Sequence, residues 1–113
     1  MSSTKFSLIV LALLPGLACA AHGQCPSYEE SPRNVLSSAR LFDGPIEEMA
    51  ELVPDKEVDA RTAIWTVAGY PPASRKLILL CGYKNKKTIQ IEVPETATQC
   101  HVNSGKTLRA WCD

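Results

Sequence analysis

The sequence predicts an α+β fold that is mostly β: a small antiparallel sheet or sandwich of about five or six strands with one short helix. Three observations carry that expectation. Apolar and polar residues alternate in several short stretches, helical spacing occurs in a single place, and four cysteines (Cys25, Cys81, Cys100 and Cys112) are spread along residues 21–113. An even set of cysteines over so small a domain reads as two disulfide staples, which supplement a core of modest size.

The first twenty residues read differently from the rest. Lys5 precedes an apolar run from Phe6 to Leu14 broken only by Ser7, and Ala18-Cys19-Ala20 supplies the small-x-small pattern of a signal peptidase site. The run is shorter than the roughly 20 residues a membrane-spanning helix needs. Residues 1–20 are therefore expected to be a signal peptide and residues 21–113 a single exported, periplasmic domain with no stable membrane insertion after cleavage. Anchoring as a lipoprotein through Cys19 is the rival reading. It is the weaker one, because Gly16-Leu17-Ala18 lacks the aliphatic residue such sites carry three places before the cysteine.

Along the domain, Ala21 to Asn34 reads as an extended arm held by Cys25 and stiffened by Pro26 and Pro32, followed by a strand pattern over Val35–Phe42. The clearest local signal is Asp43-Gly44-Pro45 leading into Ile46, Met49, Ala50 and Val53, an i, i+3, i+4, i+7 apolar face closed by Pro54. This predicts a helix over about residues 45–52. Thr62–Val67 alternates with period two, Lys76–Tyr83 is the most apolar stretch and reads as a central strand, and Thr88–Val93 returns from a Lys84–Lys87 turn. Pairing Tyr83 with Thr88 would set Ile78 and Leu80 on the face of Ile89, Ile91 and Val93. Thr98–Val102 and Thr107–Cys112 form a last hairpin around Asn103-Ser104-Gly105, with Gly105 suited to positive φ.

Four cysteines allow three connectivities, and spacing leaves them open. Cys25 with Cys81 and Cys100 with Cys112 is the favoured set. With the turn at Asn103–Gly105, Cys112 lies several residues past the partner of Cys100, so that bridge would need a bent hairpin.

Little in the chain points to catalysis. There are two histidines, His22 and His101, and no G-x-S-x-G turn. No two of the four cysteines show the C-x₂₋₄-C spacing of a zinc site, and the calcium-loop pattern is absent. The expectation is a non-enzymatic protein with no metal and no cofactor. Acidic residues dominate Ala21–Ala60, nine against three bases, and bases dominate from Arg61 onward, eight against three acids. The favoured reading is that the two halves interleave in space and largely cancel. Nucleic-acid binding, which needs a basic face with stacking aromatics, is excluded. Two features stand out as partner-binding candidates: Tyr70 in the Tyr70-Pro71-Pro72 loop, and the lysines Lys84, Lys86 and Lys87 at a turn.

The block from Phe42-Asp43-Gly44-Pro45 through Glu48-Met49-Ala50-Glu51-Leu52-Val53-Pro54-Asp55 resembles a motif of a family of small exported proteobacterial proteins. Its combination with Cys25-Pro26, Trp65, Cys81-x-Tyr83, Cys100 and Cys112 is similar to that family too. The resemblance implies an exported, disulfide-bonded, mostly β domain. Some relatives lie among type VI secretion genes, which implies a periplasmic immunity protein that inhibits a peptidoglycan-targeting toxin or hydrolase. The partner would then be another protein. An envelope-maintenance protein is the alternative.

Overall fold

The computed structural model describes residues 23–69 and 75–113. Among the described residues, nine strands form two antiparallel sheets. They are β1 (Tyr28–Glu29), β2 (Ser31–Asp43), β3 (Glu51–Leu52), β4 (Lys56–Asp59), β5 (Thr62–Thr66), β6 (Leu77–Tyr83), β7 (Thr88–Glu92), β8 (Gln99–Ser104) and β9 (Leu108–Cys112). The larger sheet runs β1-β2-β6-β7, with β3 pairing on β2, and the smaller runs β9-β8-β5-β4. The mostly β expectation holds, but there are more strands than expected.

One core lies between the sheets. Leu36, Leu41, Leu77, Leu79, Cys81 and Tyr83 face it from the larger sheet, and Trp65, Cys100, Ala110 and Cys112 from the smaller. Leu41 and Leu79 are directly paired on the two central strands and fully buried. β2 is thirteen residues long, and its register against β6 shifts between Leu36 and Ser38. A bulge there keeps Leu36 on the buried side together with Ala39 and Leu41, which plain alternation would not allow.

The register of β6 on β7 differs by one residue from the expected one. Leu79 pairs with Ile91 and Cys81 with Ile89, so Leu77, Leu79 and Cys81, and not Ile78 and Leu80, share a face with the isoleucines. The cause is the turn. Tyr83 N–H donates to the Lys87 carbonyl and Lys86 N–H to the Tyr83 carbonyl, which leaves a three-residue loop, Lys84-Asn85-Lys86, with Lys86 at φ 78°. Such loops place their third residue in the left-handed region, usually as glycine. Here lysine occupies it without that sequence signal.

The expected helix over residues 45–52 is not formed. Ile46–Glu48 makes a single 3₁₀ turn, Met49 adopts a left-handed conformation at φ 55°, and Glu51–Leu52 then pairs back on β2. Asp43 N–H donates to the Ala50 carbonyl and closes the excursion. Met49 and Val53, assigned to the buried face of the expected helix, are 81% and 80% exposed. Leu52, which lay off that face, packs on the core, and its carbonyl accepts a 2.9 Å hydrogen bond from the Trp65 indole Nε1. A span this short makes too few internal hydrogen bonds to hold a helix, so strand pairing and one buried anchor decide its path.

Both disulfides are present. Cys25–Cys81 spans 56 residues and Cys100–Cys112 spans 12. Cys100 and Cys112 are direct partners in the β8–β9 ladder, so no bent hairpin is involved. The turn sits later than expected, at Gly105–Thr107, between the paired Ser104 and Leu108. Among the described residues, the positive-φ glycines are Gly23, Gly44 and Gly69, not Gly105.

The arm before β1 acts as a strap between sheets. Cys25 N–H donates to the Ala110 carbonyl, and Cys112 N–H to that of Gly23, so the arm covers the β9 edge. Gly23 takes φ 69°, and a methyl group there would crowd the Cys112 carbonyl. The Cys25–Cys81 bridge then crosses to the middle of the larger sheet. Tyr83, 2% exposed, completes the attachment by donating its hydroxyl to the Pro26 carbonyl at 2.7 Å.

Burial, and secondarily the Glu29 charge, push the Tyr83 phenol above its ordinary value. The native state therefore holds this proton more tightly than the unfolded chain. The associated stability is intact below the ordinary tyrosine value of about 10 and is lost as pH rises through the higher native one. In an alkaline absorbance titration, one tyrosine should ionise late and denaturant midpoints should decline above about pH 10. Tyr83→Phe should abolish the late step; its survival in that variant would refute the assignment.

Candidate binding surface

The Phe42-Asp43-Gly44-Pro45 block builds one border of a groove of about 490 Å³ on the outer side of the larger sheet. Gly44 adopts φ 96°, and a side chain there would collide with the Arg75 guanidinium. Arg75 donates to the Asp43 carboxylate (3.0 Å), the Asp43 carbonyl (2.8 Å) and the Glu48 carboxylate (2.9 Å). These bonds fasten the 3₁₀ turn to the start of β6. Ile78 forms the apolar floor, and Glu47, Glu48, Gln90 and Glu92 give the walls a mostly acidic character. Beside it, Arg40 bonds Glu51 at 2.8 Å and lies over the Phe42 ring at 5.2 Å. That hydrogen bond holds the Glu51 carboxyl below its usual range. The block that carries the family resemblance is therefore occupied with its own internal contacts.

A second cleft, of about 300 Å³, opens at the opposite ends of these strands. It is lined by Ser27, Tyr28, Val35 and Leu36 from the larger sheet and by Lys106, Thr107 and Leu108 from the β8–β9 turn. Tyr28 and Val35 are cross-strand partners, 50% and 44% exposed. The lysine turn adjoins this cleft: Lys84 N–H donates to the Val35 carbonyl, and Asn85 N–H to the Asn34 side chain at 2.9 Å. Asn85 also accepts from Lys87 N–H, so both sides of the three-residue loop are braced. Among the described residues, none of Lys84, Lys86, Lys87 or Lys106 makes an ion pair. Tyr70, the other candidate, lies outside the described residues.

The outer face of the smaller sheet carries a third feature. His101 stacks on Trp111 at 4.8 Å and 12°, and Arg109 lies over the same indole at 5.1 Å. His101 Nε2 is 3.2 Å from an Asp113 carboxylate oxygen. The imidazole is held against Trp111, the Thr98 hydroxyl donates to the Asp113 main-chain oxygen at 3.3 Å, and all four cysteines of the domain are in disulfides. Among the described residues, no three His, Cys, Asp or Glu side chains gather as a metal site.

Sequence reasoning found the lysine turn but not its surroundings. Tyr28, Val35 and Lys106 belong to three separate segments, and only the fold brings them together. Trp111 and His101 are also neighbours only through cross-strand pairing.

A braced, disulfide-bonded sandwich whose polar and apolar groups converge at surface clefts has the anatomy of a protein-binding module: such a surface loses little entropy on association. Residues 30–113 match the family model of the type VI secretion system Tli immunity protein, and the chain belongs to that family. Searches of curated proteins and of solved structures gave no match. The association with type VI secretion immunity expected from the Phe42–Asp55 block thus holds.

Proposed function

We propose that the chain is exported to the periplasm, cleaved after residue 20, and there neutralises a toxin by binding over its active-site cleft, with no catalytic step of its own. Family membership over residues 30–113 is the observation that carries this reading and favours it over a role in envelope maintenance. The leader pattern of residues 1–20 and the two disulfides, which persist in oxidising spaces, support the compartment. The sequence resemblance makes that toxin a peptidoglycan-attacking enzyme, and a wall substrate fits a toxin met in that compartment.

The test is competition between kin. A strain lacking this chain, challenged by sister cells with an active type VI system, should lose viability, and the full-length chain should restore it. A leaderless version should not restore it, because the reducing cytosol keeps its thiols open and the toxin is elsewhere. Equal survival of the deletion strain and its parent would refute the proposal.

A further inference from the structure

We infer that the cleft between β1–β2 and the β8–β9 turn is the toxin-docking surface, and that it receives an apolar side chain flanked by carboxylates on a protruding segment of the toxin. This rests on the immunity reading above and names the surface and the chemistry through which it works.

Three observations converge there. First, the floor is apolar and open: Tyr28 and Val35 leave about half their surface in water although they face each other across paired strands, beside Leu36 and Leu108. Cross-strand partners of this kind stabilise a sheet best when something covers them. Tyrosine is also among the side chains that most often dominate binding energy, because it offers a large rigid surface with a polar tip.

Second, the rim is cationic, and its lysines outnumber the acids beside them. Lys106 lines the cleft, and Lys84, Lys86 and Lys87 stand on the loop that is hydrogen-bonded to Val35. Two acids, Glu29 and Glu30, lie nearby at the β1–β2 turn, with the Glu29 carboxylate accepting a 2.8 Å hydrogen bond from Asn34, so the balance is four lysines against two carboxylates. The sequence favoured interleaving of acidic and basic halves, yet here the bases gather. At the other end of the same strands Arg75 is consumed by Asp43 and Glu48, and Lys76 sits 3.5 Å from Glu95. Free positive charge is therefore concentrated at one end, and a carboxylate-bearing partner complements it.

Third, the rim is preorganised. The lysine loop has its amides tied to Asn34, Asn85 and Tyr83, and the floor strand is tied through Tyr83 and the Cys25–Cys81 bridge. The outer face of the smaller sheet lacks this combination. Its aromatic pair is already stacked and its charges, Arg109 and Asp113, are of opposite sign and engaged with the rings.

The experiment uses the full-length chain in the deletion strain under kin attack, together with the toxin purified from the attacking cells. Four variants are compared: Lys84→Glu/Lys86→Glu/Lys106→Glu on the rim, Tyr28→Ser/Val35→Thr on the floor, Glu47→Lys/Glu95→Lys at the far end, and Arg109→Glu/Trp111→Ala on the outer face of the smaller sheet. Rim and floor variants should lose protection and bind the toxin on the order of tenfold or more weakly. The far-end variant should behave as wild type. Wild-type affinity should also fall as salt is raised from about 50 to 500 mM, and that slope should shrink in the rim variant. None of the replaced lysines makes an ion pair, so the rim variant should keep the wild-type thermal midpoint, which separates lost binding from lost folding. A folded rim variant that protects fully in a sensitised strain overturns this inference and leaves the proposed function standing. So does loss of protection confined to Arg109→Glu/Trp111→Ala. A deletion strain that is not sensitised at all defeats the proposed function first.

Discussion

Replacing Cys25 and Cys81 together by alanine is expected to lower stability by about 4 kcal/mol, against about 3 kcal/mol for the Cys100/Cys112 pair. The difference follows from loop length. The first bridge closes 56 residues and the second 12, and the chain entropy removed from the unfolded state grows with the logarithm of that span. Position adds to the contrast. Cys25–Cys81 joins the strap along β9 to the fully buried middle of β6, whereas Cys100–Cys112 links two strands that already pair directly. Urea denaturation of the oxidised variants would measure both. A loss below about 1 kcal/mol for Cys25→Ala/Cys81→Ala would mean that the hydrogen bonds from Cys112 to Gly23, from Cys25 to Ala110 and from Tyr83 to Pro26 hold the strap without the bridge. The expected loss is a large fraction of what a domain of this size possesses. The protein should therefore be folded where disulfides form and marginal where they do not.

Much of the sheet is legible in the chain, and the failures have local causes. Leu77–Tyr83 announces a central strand by its continuous apolar run, and Thr62–Thr66 and Thr88–Glu92 by period-two alternation. The β6–β7 register is not legible, because the loop needs a left-handed residue and supplies Lys86 where glycine would have signalled it. One misplaced loop residue inverts every side chain of the pair. The Cys100–Cys112 ladder pairing was obscured in the same way, by a turn at Gly105–Thr107 and not at Asn103–Gly105. The segment Ile46–Val53 shows the opposite failure. Its helical spacing is genuine, but in eight residues such spacing competes poorly with the pairing of Glu51–Leu52 on β2 and the capture of Leu52 by Trp65. For the candidate surface, the lysine turn is visible as a charge run. Tyr28 and Val35 look like ordinary strand residues, and only the bulge in β2 and the approach of the β8–β9 turn make them a cleft floor.

Trp65→Ala is expected to lower stability by about 3–5 kcal/mol, and Trp65→Phe by about 1–2 kcal/mol. Trp65 stands on β5 of the smaller sheet, 6% exposed, and pairs with Cys100, while its indole N–H reaches the carbonyl of Leu52 on β3 of the larger sheet. It thus fills the core and also holds the segment that replaces the expected helix. Alanine removes both functions and leaves a cavity that two disulfide-linked sheets are poorly able to collapse. Phenylalanine retains most of the packing but leaves the Leu52 carbonyl without its donor in a half-buried setting, and this cost is local. Hydrogen exchange separates the two effects. Trp65→Phe should speed exchange at Asp43, whose amide bonds the Ala50 carbonyl, well before it affects the β2–β6 ladder. Trp65→Ala should speed exchange at both together. Only two tryptophans occur in the chain, so either variant leaves Trp111 as the sole indole fluorophore. Because Trp111 lies on the outer face of the smaller sheet, its emission in Trp65→Phe should match the native environment until global unfolding. If Trp65→Phe were as costly as Trp65→Ala, the hydrogen bond to Leu52 and not the packing would be the dominant link between the sheets. The path of residues 46–53 would then depend on that single donor.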